Sequence, residues 1–443
     1  MLTKERARLI WSIVSAQGLW QTLLERVQFA RPSKGRAAPA DRDESLPSLP
    51  RFNDYVGAAH IHSTYSDGTS TVREIAAAGG RSGLDFIIFA DHNTTAASED
   101  GEEVWQADNR VLILVGSEVT TSEGHLLAFD TPPSFYPAPH DARECMRAIH
   151  DCGGYGYIAL PCDLKGHWGD FSVREPGIGI EVFNLSAIAR TKINVPGFLL
   201  ALLRYRGADP LAAYSLVIGR PYEELRVWDR MLVESARRGE KLPHTLGCLD
   251  AHAVMRIGGR EFPYPSYEEV FRTLRTHILT TETLSFSNEN VRRDLKIVHD
   301  AVRSGRVYAS FDNFGDPRGF LVELRKGGEY VGTTGETYEI DESAAGACVL
   351  AVRVPQTRSV IRVYRDGRLV EARRGGALDY PIAVSGVYRI EVLIYRNRIG
   401  DICFGARPWI YSNALNVRLL RSASHPAAVS SATARPGEAS GRE

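Results

Sequence analysis

Ala59-His60-Ile61-His62-Ser63-Thr64-Tyr65-Ser66-Asp67-Gly68 is the stretch on which the fold assignment turns. The residues before it, Val56 to Ala59, are small and apolar and read as a buried strand, so two imidazoles two residues apart leave one face of its end. Asp67 follows in a Ser-Asp-Gly turn, where the glycine relaxes the backbone and the carboxylate can fold back toward the rings. Two imidazoles and a carboxylate suit a divalent metal ion. The same spacing also occurs on surface strands that hold nothing, so the remaining sequence has to decide.

A chain of 443 residues exceeds one ordinary core and divides into two or three units, at least one large enough for an α/β barrel. Hydrophobic residues make up 44%, ordinary for a soluble globular protein, and a net charge of −1 gives no global field to recruit nucleic acid or anionic membrane. Cysteines at 145, 152, 162, 248, 348 and 403 form no C-x-x-C pair and no dense cluster, which argues against a structural zinc knot or disulfide scaffold and for a reducing, cytoplasmic setting. Near the start, Leu9 to Leu24 is uncharged and follows Lys4, Arg6 and Arg8. We read residues 1–28 as an amphipathic helix that docks on the protein, on a second copy or on a membrane surface, with a signal or anchor segment as the alternative.

Residues 29–54 are rich in proline, alanine and charge and read as a linker. From Tyr55 strands and helices alternate: a strand into His60, a helix near Val72–Arg81, a strand through Phe86–Phe89, a polar helix near Glu99–Ala107 and a strand through Val111–Val115. Short continuous apolar runs of this kind are expected for parallel strands buried on both faces. A strand at Gly124–Phe129 precedes a helical stripe of Ala142, Cys145, Met146, Ile149 and Cys152, in which both cysteines read as core residues. Strands at Gly156–Leu160 and Gly179–Phe183, a helical excursion over 196–240, and a strand at Thr245–Leu249 follow, and Val291, Leu295, Val298 and Val302 mark a helix ending at Gly305. Beyond residue 317 short runs separated by Asp366-Gly367 and Ser385-Gly386 predict an immunoglobulin-like all-β sandwich to about 420, then a disordered tail over 421–443.

In a barrel, functional side chains gather at the C-terminal ends of the strands. Here the strand ends carry Asp91-His92, Glu118, His125 at the start of the next strand, and Asp250-Ala251-His252. Together with His60, His62 and Asp67, this set resembles the four motifs of the polymerase-and-histidinol-phosphatase (PHP) superfamily of metallohydrolases over residues 56–315. The helical excursion with Glu224-Leu225 and Trp228-Asp229, and the run Arg407-Pro408-Trp409-Ile410-Tyr411-Ser412-Asn413, are similar to the carbaryl-hydrolase-like (CehA/McbA) branch.

The resemblance implies a distorted (β/α)7 barrel over 55–316 with the sandwich at 317–420, and two or three divalent ions of zinc, manganese or iron. It implies one ion held by His60, His62, Glu118 and Asp250, another by Asp67, His92 and His252, and a third between Glu118 and His125. The family's usual Ala-His-Pro is Ala159-Leu160-Pro161 here, so the third ion is absent, borrows Cys162 or His167, or takes water instead. Glu118 and Asp91 are the candidate catalytic residues, Asp91 by orienting a ligand imidazole or, on the plainer reading, by capping a turn. Lys165, Arg190 and Lys192 are candidates for substrate binding. The expected activity is hydrolysis of a small-molecule phosphodiester or nucleotide-like monoester, with a carbamate or aryl ester hydrolase and a catalytically reduced binding module as alternatives. No basic stripe with interleaved aromatics suits long nucleic acid.

Overall fold

A computed structural model describes residues 27–29, 31–32, 51–133, 135, 140–163, 167–192, 211, 214–215, 218–257, 260–262 and 265–420. The expected N-terminal helix up to residue 26, the tail, Lys165 and most of the excursion before 218 lie outside the described residues, while Val27 and Gln28, expected at the end of that helix, are instead strand, paired antiparallel with Phe404 and Cys403. Among the described helices, none is long and apolar enough to cross a membrane.

The first sheet is built on β1 (Asn53–Ile61), β2 (Phe86–His92) and β3 (Val111–Thr120), paired in parallel in chain order. Phe86 to Phe89 and Val111 to Leu114 are fully buried, as their unbroken apolar runs require. Helix α1 (Val72–Arg81) links β1 to β2 and starts at a capping box in which Thr71 and Glu74 satisfy each other's backbone N–H. Its Val72, Ile75, Ala76 and Ala78 face the core.

The expected simple repeat of parallel βα units ends at β3. β4 (His125–Phe129) returns antiparallel after a four-residue connection, and β5 (Tyr155–Ala159) is antiparallel to β4. This reversal puts the first residue of β4 at the edge where β1 to β3 end, with His125 opposite Thr120. Helix α2 (Ala142–Asp151) buries Ala142, Cys145, Met146 and Ile149 as the stripe predicts, while Cys152 is the C-cap residue and only half buried. The expected polar helix near 99–107 is instead a single turn, Ala96–Glu99, followed by the short strand Trp105–Gln106.

The strand expected at 179–183 is broken in two, β6 (Gly179–Ile180) beside β5 and β7 (Phe183–Asn184) beside β8 (Gly247–Ala251), and β8 pairs in parallel with β1. The pairings run from β1 through β2, β3, β4 and β5 to β6, and on the other side from β1 through β8 to β7; Glu181 and Val182 connect β6 to β7, between which no ladder is formed among the described residues. Helix α3 (Leu185–Lys192) follows β7, and α4 (Tyr222–Arg238) is the described part of the excursion, closed by Gly239 at φ +70°. β9 (Leu274–Thr280) runs antiparallel to the first half of β1, and α5 (Val291–Arg303) connects it to β10 (Val307–Phe311). The buried face of α5 includes Asp294, which accepts from the Trp105 indole at 2.8 Å and the Ser285 hydroxyl at 2.5 Å.

The C-terminal all-β region stacks two sheets. One contains β11 (Leu321–Lys326), β12 (Glu329–Gly332), β14 (Cys348–Arg353) and β17 (Ala377–Pro381). The other contains β13 (Thr337–Asp341), β15 (Ser359–Arg365), β16 (Arg368–Arg374), β18 (Gly386–Ile394), β19 (Arg407–Ser412) and β20 (Leu415–Leu420). Leu324, Leu350 and Val352 from one meet Ile361, Val363, Ile390 and Trp409 from the other in a common core. The second sheet is also continuous with the first half of the molecule, because β10 pairs antiparallel with β19. Asn413 fastens the same seam, accepting from Thr245 N at 2.8 Å and donating to the carbonyls of Thr245 and Val307. Part of the expected linker is in ladders, since residues 31–32 pair with Arg373 and Arg374 and β1 starts at Asn53.

Candidate metal centre

His60 and Asp250 sit where two neighbouring strands break register. β1 shifts between Ala59 and Ile61, β8 shifts between Cys248 and Ala251, and the residues at the breaks take left-handed backbones, His60 at φ +61° and Asp250 at φ +51°. An extra residue in a strand twists it and re-aims its side chains, and a non-glycine residue held in this region costs on the order of 1–3 kcal/mol. Asn93 and Leu160, at the ends of β2 and β5, are left-handed as well. Four left-handed non-glycine residues thus share one edge of the sheet.

The side chains converge there. His60 Nε2 and His62 Nε2 lie 3.2 and 3.4 Å from Glu118 Oε2, and 3.9 and 3.6 Å from Asp250 Oδ1. Asp67 Oδ1 lies 3.0 Å from His252 Nε2 and 3.7 Å from His92 Nε2, while His92 Nδ1 and His125 Nδ1 lie 3.2 and 3.6 Å from the two oxygens of Glu118. Three overlapping groups result, each with its ligand atoms within 4.8 Å of one another: His60, His62 and Asp250; His62, Asp67, His92 and His252; and His92, Glu118 and His125. All eight residues the sequence offers as ligands are thus in one place. Cys162 and His167 join none of these groups.

The donor set fits divalent ions. His60 Nε2, His62 Nε2 and His125 Nδ1 are buried without a hydrogen-bond partner, an arrangement that costs about 1–3 kcal/mol per atom unless something else takes the lone pair. Burial, and then the positive fields of His60, His252, His92 and His125, hold the His62 pKa well below that of free imidazole, so the ring is neutral as a ligand must be. Glu118 is 1% exposed. Burial pushes its carboxyl up, but His60, His125 and His92 outweigh that and hold it low, as the anion.

The turn that carries Asp67 is fixed from below. Asp91 accepts from Ser63 N at 2.8 Å, Ser63 Oγ at 2.7 Å and Ser66 Oγ at 2.6 Å. It fastens the turn directly and meets the His62 ring only through Ser66, whose hydroxyl lies 3.5 Å from His62 Nδ1. Gly68 closes the turn against the chain, where a Cβ would come within 2.2 Å of the His62 carbonyl oxygen. The same carbonyl accepts from the Tyr267 hydroxyl at 2.8 Å.

Of the expected substrate-binding cations, Lys165 and the side chain of Lys192 lie outside the described residues. Arg190 does reach the centre, but its guanidinium is engaged by Asp163 at 2.6 Å and lies 3.5 Å from Asp250 Oδ2. It steadies a candidate ligand while its side chain keeps one third of its surface exposed. Sequence reasoning missed Glu181. This carboxylate, 1% exposed at the step between β6 and β7, lies 2.7 Å from His60 Nδ1 and accepts from Leu160 N at 2.8 Å. A lone acidic residue inside the apolar run Ile178–Phe183 was the available signal.

No protein-family description and no curated protein matches the chain. Several solved structures align with it at low identity. One is a protein provisionally described as a metal-dependent phosphoesterase from Bifidobacterium adolescentis, at 16% identity over 46% of this chain and 88% of its own, with a TM-score of 0.29. Another is a two-domain protein from Bacteroides vulgatus containing a predicted PHP-like metal-dependent phosphoesterase, at 15% identity over 84% of this chain and 97% of its own, with a TM-score of 0.35. A third is an amidohydrolase from Chromobacterium violaceum with bound sulfate and no metal, at 14% identity over 48% of this chain and 92% of its own, with a TM-score of 0.29. Overlaps of this size do not establish a shared fold, and the assignment rests on the side chains.

Proposed function

We propose that the chain is a metal-dependent hydrolase of the PHP type, most suited to phosphate esters, with β1 to β8 forming its distorted (β/α)7 barrel. The observation that carries this reading is the convergence of five histidines, two aspartates and Glu118 at one strained strand edge, with three buried ring nitrogens lacking partners. His60, His62, Glu118 and Asp250 would hold one divalent ion and Asp67, His92 and His252 a second. The group of His92, Glu118 and His125 offers the fewest donors of its own, because Leu160 supplies none. Zinc, manganese and iron all accept mixed imidazole and carboxylate shells.

Ions in such shells acidify water to give a nucleophile near neutral pH and take up charge developing on a phosphoryl or carbonyl oxygen. The chain's own contribution is placement. Glu118 lies between the groups and offers an oxygen to each side, Asp91 locks the turn bearing Asp67, and Arg190 holds Asp250 while presenting a cation at the rim. The ester proposed is a small molecule.

The test is to strip the purified chain with a chelator, reload it with zinc, manganese or ferrous iron, and assay bis-p-nitrophenyl phosphate, p-nitrophenyl phosphate and 1-naphthyl carbamates. Metal-dependent phosphoester cleavage, abolished together with metal binding in His62→Ala, is expected. Cleavage of carbamates alone would replace the phosphoesterase with a carbamate hydrolase. Bound ions with no hydrolysis of any probe would refute the enzyme and leave a binding module.

A further inference from the structure

Glu181 is a buried carboxylate whose only ion-pair partner among the described residues is His60. It reaches that position because the chain between β6 and β7 leaves the ladder for two residues, held by Glu181 N to the Ile158 carbonyl at 2.9 Å. Among the described residues no Lys or Arg pairs with it. A carboxylate removed from water without a cation is expensive to keep charged. The arrangement becomes economical if His60 conducts positive charge to it from beyond the ring, and the far nitrogen of His60 is the partnerless Nε2 that faces Glu118 and Asp250.

We propose that Glu181 is a positioning residue that holds His60 with its proton on Nδ1 and presents Nε2 to the ion shared with His62 and Asp250. The inference rests on the reading of this edge as a metal centre. The chemistry of the two oxygens makes the requirement specific. Oε1 takes the Nδ1–H of His60 and Oε2 takes the N–H of Leu160, so both positions need an acceptor. A glutamine has the same shape but one acceptor and one donor. Its NH2 group must face either His60, forcing the proton to Nε2 and blocking the ligand lone pair, or the Leu160 N–H, leaving that donor buried and unpaired while the ring loses its anionic partner.

Leu160 gains a role from the same contact. Its left-handed backbone, φ +47°, turns its N–H toward Glu181 Oε2, so the loop after β5 supports the first ion through its main chain although its side chain cannot ligate. His60 is left-handed too, and the one carboxylate therefore clamps two strained residues on β1 and β5.

Zn2+ titration of the full chain against a competing chelator, with metal counted by mass spectrometry, tests the proposal in wild type, Glu181→Gln and His60→Ala. One equivalent should bind 10- to 100-fold more weakly in Glu181→Gln, the range typical for removing the partner of a ligand histidine. The same equivalent should be lost in His60→Ala, and the others kept. The ring nitrogen shifts of the zinc-loaded wild-type chain, labelled at histidine and assigned by difference with His60→Ala, should show His60 with its proton on Nδ1 and none on Nε2. That measurement stands even if Glu181→Gln does not fold. Wild-type affinity for every equivalent in Glu181→Gln, with or without a lower melting temperature, or an Nε2–H form of His60 in the wild type, would overturn the proposal. A wild type that binds metal but hydrolyses nothing would refute the enzyme reading alone. A wild type that binds no ion would remove the centre itself, and this proposal with it.

Discussion

Replacing His277 with glutamine should flatten the fall in stability that the wild-type chain undergoes above neutral pH. His277 lies on β9, fully buried, with Nδ1 2.9 Å from Asp54 Oδ1 and Nε2 3.3 Å from Asp312 Oδ2. Its ring stacks on Tyr308 at 4.5 Å, and the Tyr308 hydroxyl donates to the other oxygen of Asp54 at 2.6 Å. Arg275, on the same strand, reaches Asp312 at 3.3 Å. Burial works against a charged ring here, but Asp312 and then Asp54 outweigh it and raise the His277 pKa from 6.5 to about 9. A group whose folded pKa is raised binds its proton more tightly in the folded chain, so its contribution is complete below pH 6.5 and is lost as pH rises through 9. Roughly two and a half pH units at 1.36 kcal/mol each amount to about 3 kcal/mol. Urea unfolding of wild type and His277→Gln at intervals from pH 6 to 10 gives the difference between them, in which groups common to both cancel. That difference should shrink by about 3 kcal/mol across the range. A difference that stays constant or grows with pH would refute the charged His277.

Three further outcomes follow from other contacts. Glu391→Ala should cost about 3–5 kcal/mol, because Arg220 and Arg389 approach this fully buried carboxylate at 2.6 and 2.5 Å, and its loss strands the Arg220 guanidinium while Arg389 keeps Asp229; an unchanged thermal midpoint would contradict the network. Asp91→Ala frees the Ser63–Ser66 turn and should weaken the ion held through Asp67 by about tenfold or more while sparing the one held through His60; equal loss of both in a metal titration would show that Asp91 acts elsewhere. Cys162→Ser should leave metal count and affinity as in the wild type, since this thiol belongs to none of the ligand groups, and loss of an equivalent would restore it as a ligand.

The ligands were legible because their chemistry is local. His60 and His62 on an apolar strand, Asp91-His92, and Asp250-Ala251-His252 each announce a strand end, and a parallel sheet carries strand ends to one edge. His125 fits for a reason the sequence did not show: β4 runs backwards, so its beginning meets the other strands' ends. Short apolar runs look alike in either direction, and the turn Thr121–Gly124 says little about which is followed. Glu181 was illegible on different grounds. Its role is set by His60 and Leu160, both more than twenty residues away in sequence, and by a break between two two-residue strands that periodicity reads as one. Asp91 could be placed from sequence but not its neighbours, because adjacency to His92 pointed to that ring whereas the fold turns the carboxylate to Ser63 and Ser66.

The β10–β19 pairing has a practical consequence for anyone who would cut the chain near residue 316 to obtain the metal-bearing half alone. Tyr308, Ala309 and Ser310 would lose their partners Ser412, Tyr411 and Ile410, and the carbonyls of Thr245 and Val307 would lose Asn413. The fragment would present a fresh, apolar strand edge to every other copy, a template for aggregation. The half that carries the candidate metal centre is therefore not an excisable module. The sandwich supplies the missing strand of its sheet.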